Sequence, residues 1–202
     1  MWNRIVWVCG LVSLFSVGPL DAQAKQITVW DQAQHRYITY NLDAIGRGHA
    51  YTPIKREIVD YDGPYGANTI VISTAERRLY YVVEKGKAIR YGVGVGREGF
   101  QWAGTDRISR KAEWPGWTPP PQMIARETAK GRILPAYMPG GPNNPLGARA
   151  LYIGSRLYRI HGSNEPWTIG QAVSSGCIRM INDDVIDLYN RVSVGVKVVV
   201  LR

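Results

Sequence analysis

The chain has 202 residues, 45% of them hydrophobic and 20% charged, with a formal net charge of +9. That length suits one domain with a short extension, and no charge block or repeat points to a disordered or solenoid chain. A basic balance suits an anionic polymer; with no zinc-ligand spacing and no arginine-rich helix, nucleic acid is read against.

Residues 1–24 read as a secretory signal. Arg4 gives a positive start, Ile5 to Val17 is an apolar run, and Ala22-Gln23-Ala24 is a small-x-small site with cleavage after Ala24. A membrane anchor is the competing reading, but the run is short for a span of ~20 residues. The expectation is an exported, periplasmic or cell-envelope protein with no stable membrane span after cleavage. Removing the signal takes away Arg4, Asp21 and Cys9, which leaves the charge balance unchanged and Cys177 as the one cysteine. Exported proteins usually carry cysteines in disulfide pairs. A lone thiol therefore points to a chemical task or to a mixed disulfide with another chain.

Residues 25–67 read as an N-terminal arm or linker. Ile27-Thr28-Val29-Trp30 and Arg36-Tyr37-Ile38-Thr39-Tyr40 alternate as strands do, and Asp60-Tyr61-Asp62-Gly63-Pro64 reads as a turn. His35 and His49 read as surface residues, since neither has a neighbouring Cys, His or acidic cluster. From Thr69 short strands follow one another: Thr69–Ile72, Leu79–Val83 and Ala88–Val95, joined by polar turns at 75–78 and 84–87. That spacing predicts an antiparallel β architecture. Gly94-Val95-Gly96-Arg97-Glu98-Gly99 matches G-x-G-x-x-G literally, but Phe100-Gln101-Trp102-Ala103-Gly104 is not helical. A dinucleotide fingerprint needs a helix opening at its glycines, so no such cofactor is expected.

Glu113-Trp114-Pro115-Gly116-Trp117-Thr118-Pro119-Pro120-Pro121 is rigid and aromatic, fit to cover the core or to form one wall of a groove. A short helix is expected over Gln122–Lys130 and a long Pro/Gly loop over Pro135–Gly147. Ala150–Ile153 and Leu157–Ile160 read as a hairpin around Gly154-Ser155-Arg156, which delivers His161 at a strand end. Asn182 reads as the N-cap of a helix whose apolar face is Val185, Leu188, Tyr189 and Val192. Val194–Leu201, β-branched and apolar, reads as a closing strand buried in the sheet.

The chemistry concentrates between Ile160 and Met180. His161 stands in a His-Gly pair, and sixteen positions on Cys177 ends Ser174-Ser175-Gly176-Cys177. A thiol is mostly protonated near neutral pH, and an imidazole within reach can take its proton, release a strong nucleophile and later act as an acid. Gly176 suits a tight turn whose backbone N–H groups point at a developing oxyanion. On residue types alone, a buried structural cysteine near an unrelated histidine is the commoner case.

His-Gly followed by Ser-Ser-Gly-Cys-Ile-Arg-Met resembles the signature of the YkuD-type L,D-transpeptidases, peptidoglycan enzymes with a cysteine nucleophile. The likeness covers about two-thirds of the chain, roughly Ala67 to Leu201, with the Trp-Thr-Pro-Pro and Pro-Gly loops in support. It implies a mainly β fold with few helices, a β-sandwich-like catalytic domain over residues 68–202. It also implies Cys177 as nucleophile and His161 as base, the imidazole oriented by the Gly162 carbonyl. Gly176 and Cys177 would line the oxyanion hole, Ser174 matches the family's Ser/Thr, and Arg179 would hold an anionic substrate or order the site. Many members carry a second histidine where this chain has Ser175, so His161 must serve as base and Ser175 can only add a hydrogen bond. Trp167 either flanks the donor groove or packs in the core. The implied substrates are peptidoglycan stem peptides as donor and acceptor, with water or an envelope-protein lysine as other acceptors. Neither metal nor cofactor is implied. L,D-carboxypeptidase activity on the same bond and a non-catalytic peptidoglycan-binding module are the alternatives.

Overall fold

The computed structural model describes residues 26–31, 36–41, 54–97, 102–155 and 158–202. The expected signal segment, His35, His49 and Gly99 lie outside them. In chain order the strands are β1 (Gln26–Asp31), β2 (Arg36–Asn41), β3 (Glu57–Tyr61), β4 (Thr69–Ser73), β5 (Arg78–Glu84), β6 (Gly86–Gly92), β7 (Val95–Gly96) and β8 (Gly104–Glu113). Helix α1 (Pro121–Thr128) follows, then β9 (Arg149–Ile153), β10 (Arg159–His161), β11 (Ala172–Ser174), β12 (Ile178–Arg179), α2 (Asn182–Arg191) and β13 (Lys197–Leu201). β1 and β2 pair antiparallel, β11 pairs with β7, and the other nine strands form one sheet in the order β12-β10-β9-β8-β13-β4-β5-β6-β3.

β4 and β13 lie inside the sheet and pair in parallel, Ile70 opposite Val198 and Ile72 opposite Val200. Both are runs of β-branched residues buried on both faces, as an interior parallel pair should be. Laid flat, nine strands would span roughly 40 Å at the usual inter-strand spacing. Yet Ile72 and Leu79 from one half share a single core with Ile160 and Ile178 from the other. The sheet therefore curls around its own core, and Val185 and Leu188 of α2 complete it. This is the mainly β, sandwich-like domain with few helices that the sequence implies. Among the described residues no helix is long and apolar enough to cross a membrane.

Four expectations are corrected. Asp60 and Tyr61 are not in a turn: they end β3, an edge strand paired with β6, and the turn begins after them. The sheet is mixed instead of antiparallel, because β13 returns beside β4 and β12 beside β10 in parallel. The strand expected over Ala88–Val95 divides at Val93 into β6 and β7, which join different sheets. Asn182 does not cap α2; the capping position is Ile181, and the Asn182 side chain is engaged elsewhere.

Candidate active site

The hairpin of β9 and β10 delivers His161 at a strand end, as the sequence leads one to expect. β12 then lies parallel to β10, pairing Ile160 with Ile178 and His161 with Arg179. Side chains alternate along strands. Ile160 and Ile178 accordingly enter the core, while Arg159, His161, Cys177 and Arg179 share the opposite face and line one pocket. Two segments sixteen residues apart in sequence are thus joined by strand register.

His161 is only 4% exposed. Its Nδ1 lies 2.6 Å from the Gly162 carbonyl oxygen. A carbonyl can only accept, so Nδ1 carries the proton and Nε2 keeps its lone pair. Burial, then the charges of Arg179 and Arg159, push the imidazole down to about 3, against a smaller opposing effect of the Gly162 bond. The ring therefore rests neutral at any physiological pH, as a base must.

The backbone that orients His161 is itself clamped. Asn182 Oδ1 accepts the Ala148 N–H at 2.9 Å, and its Nδ2 donates to the Ser163 carbonyl at 3.3 Å. A Cβ at Gly162 would stand 2.2 Å from Asn182 Oδ1, so the residue after the histidine has to be glycine for this clamp to close. On the other side, Ser174 Oγ donates to the Cys177 carbonyl at 2.6 Å and accepts the Gly176 N–H at 3.2 Å. Gly176 has φ 108°, a conformation that favours glycine. The Ser174 hydroxyl is engaged inside the turn that presents Cys177, and in this structure it also holds the Gly176 N–H expected to face an oxyanion. Ser175 lines the pocket.

Arg179 Nη1 bonds Glu165 Oε2 at 3.0 Å. Trp167 does not reach the pocket: it sits in a 3-10 turn, Pro166–Thr168, 55% exposed, because that turn is held by Thr168 Oγ1 donating to the Glu165 carbonyl and faces its ring outward. The aromatic wall comes instead from Trp117, in the rigid Trp-Pro stretch, which thereby proves to be a groove wall. Pro120, Gln122, Met123 and Arg126 of the α1 region and Leu146 complete that side. Arg126, Arg159 and Tyr158 were not foreseen as site residues; Arg159, two residues before His161, could have been found from strand alternation alone. Among the described residues no group of three or more His, Cys, Asp or Glu could hold a metal ion.

Comparison with known proteins bears on this arrangement. Residues 67–200 match the family model of YkuD, the L,D-transpeptidase catalytic domain. The probable L,D-transpeptidase ErfK/SrfK of Escherichia coli K12 is 42% identical over 137 residues, 65% of this chain and 43% of that protein. The probable L,D-transpeptidase YbiS of the same strain is 45% identical over 134 residues, 64% of this chain and 43% of that protein. The chain thus spans less than half the length of these curated relatives. A crystal structure from Brucella melitensis, described as a probable carnitine operon oxidoreductase caia, is 44% identical, covers 78% of this chain and 99% of that one, and superposes with a TM-score of 0.50. That description has no counterpart in the glycine run here: Gly94 bridges to Arg179 and the next residues form β7, where a dinucleotide site would open a helix. The family match takes in more than half of the chain and every residue that lines the pocket, and on that ground the chain belongs to the YkuD family of L,D-transpeptidase catalytic domains.

Proposed function

We propose that this chain is an L,D-transpeptidase that forms a thioester between Cys177 and a peptidoglycan donor tetrapeptide and passes the acyl group to an amine. The observation that carries the reading is a buried, neutral His161, its Nδ1 proton tied to Gly162, in the same pocket face as Cys177. As Cys177 Sγ attacks the carbonyl of the third, L-centred stem residue, His161 Nε2 takes the thiol proton. The tetrahedral intermediate collapses, the C–N bond to the terminal D-alanine breaks, and the imidazolium returns the proton to the leaving amine. The acceptor amine then attacks the thioester, losing a proton to His161, and the thiol is restored. With a stem-peptide amine the product is a 3→3 cross-link.

An imidazole held far below the usual histidine range takes up little of the thiol proton at rest, so its uptake of that proton accompanies formation of the C–S bond. The tetrahedral oxyanion beside it stabilises the imidazolium until the amine leaves. Arg179, bound to Glu165, orders the His161–Cys177 face. The Gly176 N–H becomes an oxyanion donor by exchanging Ser174 for the substrate oxygen, with the Cys177 N–H beside it. Ser175, at the pocket surface, offers one further hydrogen bond. Export fits the substrate: residues 1–24 act as a cleaved signal, residues 25–67 as an arm whose β3 joins the catalytic sheet, and the catalytic domain works in the periplasm or cell envelope.

Incubating reduced protein with a tetrapeptide-bearing muropeptide tests this. Release of D-alanine with a new cross-linked mass is the expected result. Trimmed product alone would make it an L,D-carboxypeptidase, and untouched substrate with retained binding would make it a peptidoglycan-binding module. Conjugation to a lysine-bearing envelope protein would identify the third kind of acceptor. A carbapenem should add its mass at Cys177.

A further inference from the structure

The pocket contains three guanidiniums, from Arg126, Arg159 and Arg179, and among the described residues no carboxylate lines it. The three differ in what already satisfies them. Arg179 is committed to Glu165 at 3.0 Å. Arg126 shares a single bond, Nε to Glu127 Oε1 at 3.3 Å, and Glu127 is drawn the other way by Arg132 and Lys130. The Arg159 side chain makes no hydrogen bond among the described residues: its Nε is buried without a partner. Its guanidinium stands 5.8 Å from the Tyr152 ring centre, and Arg110 sits over that same ring at 3.6 Å.

A guanidinium without a countercharge at a half-buried wall costs solvation, and Arg159 also opposes the imidazolium that forms at His161 during turnover. An anionic ligand reverses the sign, since a planar guanidinium offers paired donors to a carboxylate. We propose that Arg159, with Arg126 from the α1 side, forms a carboxylate-binding subsite, so that the acyl donor is selected for a free carboxylate close to the scissile bond. Arg179 is the ordering residue and these two are the recognising ones. The peptide nature of the ligand rests on the transpeptidase reading; the demand for a carboxylate rests on the pocket's charge.

The test separates the two. A synthetic tetrapeptide ending in D-alanine is made twice, with a free side-chain carboxylate on the residue before the scissile bond and with that group as a carboxamide. Binding to the full chain carrying Cys177→Ala is measured by calorimetry, which reads affinity without turnover. The carboxylate form should bind about tenfold or more tightly, the scale of a charge-assisted pair. That ratio should fall below about threefold in Arg159→Gln and shrink in Arg126→Gln. Equal affinity for the two peptides, or a ratio that survives Arg159→Gln, overturns the subsite. Should Arg159→Gln fail to fold by circular dichroism, Arg126→Gln on its solvent-facing helix decides alone, and an unchanged ratio there overturns it. Carboxylate-selective binding by Cys177→Ala beside a wild type that never releases D-alanine would sink the transpeptidase reading and leave the subsite standing.

Discussion

The pocket has two unlike walls. One is the sheet face of β10, β12 and the Ser174–Cys177 turn: His161 and Ser174 are buried, Ile160 and Ile178 anchor it in the core, and Asn182 clamps its backbone. The other is the α1 side, whose helix buries no residue and carries Ile124 exposed, with Ile133 beyond it 95% exposed. Its ends are pinned by the Trp117–Met138 bridge and by Asn144, whose side chain bonds the Met138 and Pro139 carbonyls and the Leu146 N–H. Reacting groups need positions fixed to a fraction of an ångström, which packed strands supply. A recognition wall gains from adapting to its ligand, and a helix with no buried residue is free to do so.

Substitutions can break or sharpen this contrast. The largest effect belongs to Cys177→Ala on the sheet wall: D-alanine release should fall by at least about 10⁴-fold with the fold intact by circular dichroism. Turnover retained in that variant would remove the thiol from the mechanism. Leu151→Ala, fully buried in β9 beneath the site, should cost about 2–5 kcal/mol in denaturant unfolding.

Acid should strike the sheet wall next. His161 is held at about 3 when folded and returns to about 6.5 when unfolded. The unfolded chain therefore binds the extra proton, and this group's contribution to stability is lost as pH falls below about 6.5. By pH 4 the wild type should have lost about 3 kcal/mol more than His161→Gln, measured as the difference in urea midpoints between pH 7 and 4. Identical slopes for the two proteins would show that the imidazole is not buried neutral. Asp184, pushed up to about 7 chiefly by burial, acts in the opposite sense and loses stability as pH rises from about 4 to 7, but it is common to both proteins and cancels.

Asn182→Ala leaves the Ala148 N–H and Ser163 carbonyl without their partner and should cost about 1–3 kcal/mol. Because the same clamp holds the Ser163 carbonyl, one residue on from the Gly162 carbonyl that orients His161, kcat should drop with little change in KM; a pure KM effect would assign Asn182 to binding. The smallest effect belongs to the other wall: Ile124→Ala should stay within about 0.5 kcal/mol. A cost near that of Leu151→Ala would mean that the α1 wall is packed as tightly as the sheet.

Different parts of this molecule were legible for different reasons. β4 and β13 announce themselves because Ile, Val and Thr in unbroken runs have one stable home, a sheet interior. β8 drew no expectation: only Ile108 of its ten residues is buried, so no apolar alternation marks it, and its existence depends on the partners β13 and β9 on either side. β3 was missed for the same reason at the sheet edge, where pairing with β6 on one side overrides turn-forming Asp and Gly nearby. Asn182 is a good capping residue by type, and the side chain went to Ala148 and Ser163 because those buried backbone groups had no other partner.

The residues by themselves supplied candidates for the chemistry: Cys177, a histidine sixteen places before it and the glycines around both are the types a thiol-based acyl transfer would use, since reactivity is a property of side-chain type and local turn. The motif they form was enough to point to the family, which the match over residues 67–200 then showed. Which residues meet was decided by tertiary structure. The parallel register of β10 with β12 brings Arg159 and Arg179 to His161, the turn before β11 turns Trp167 away, and the segment from Trp117 to Leu146 closes the pocket with Arg126. Register and crossover are fixed by pairing between segments far apart in the chain, and no local pattern records them.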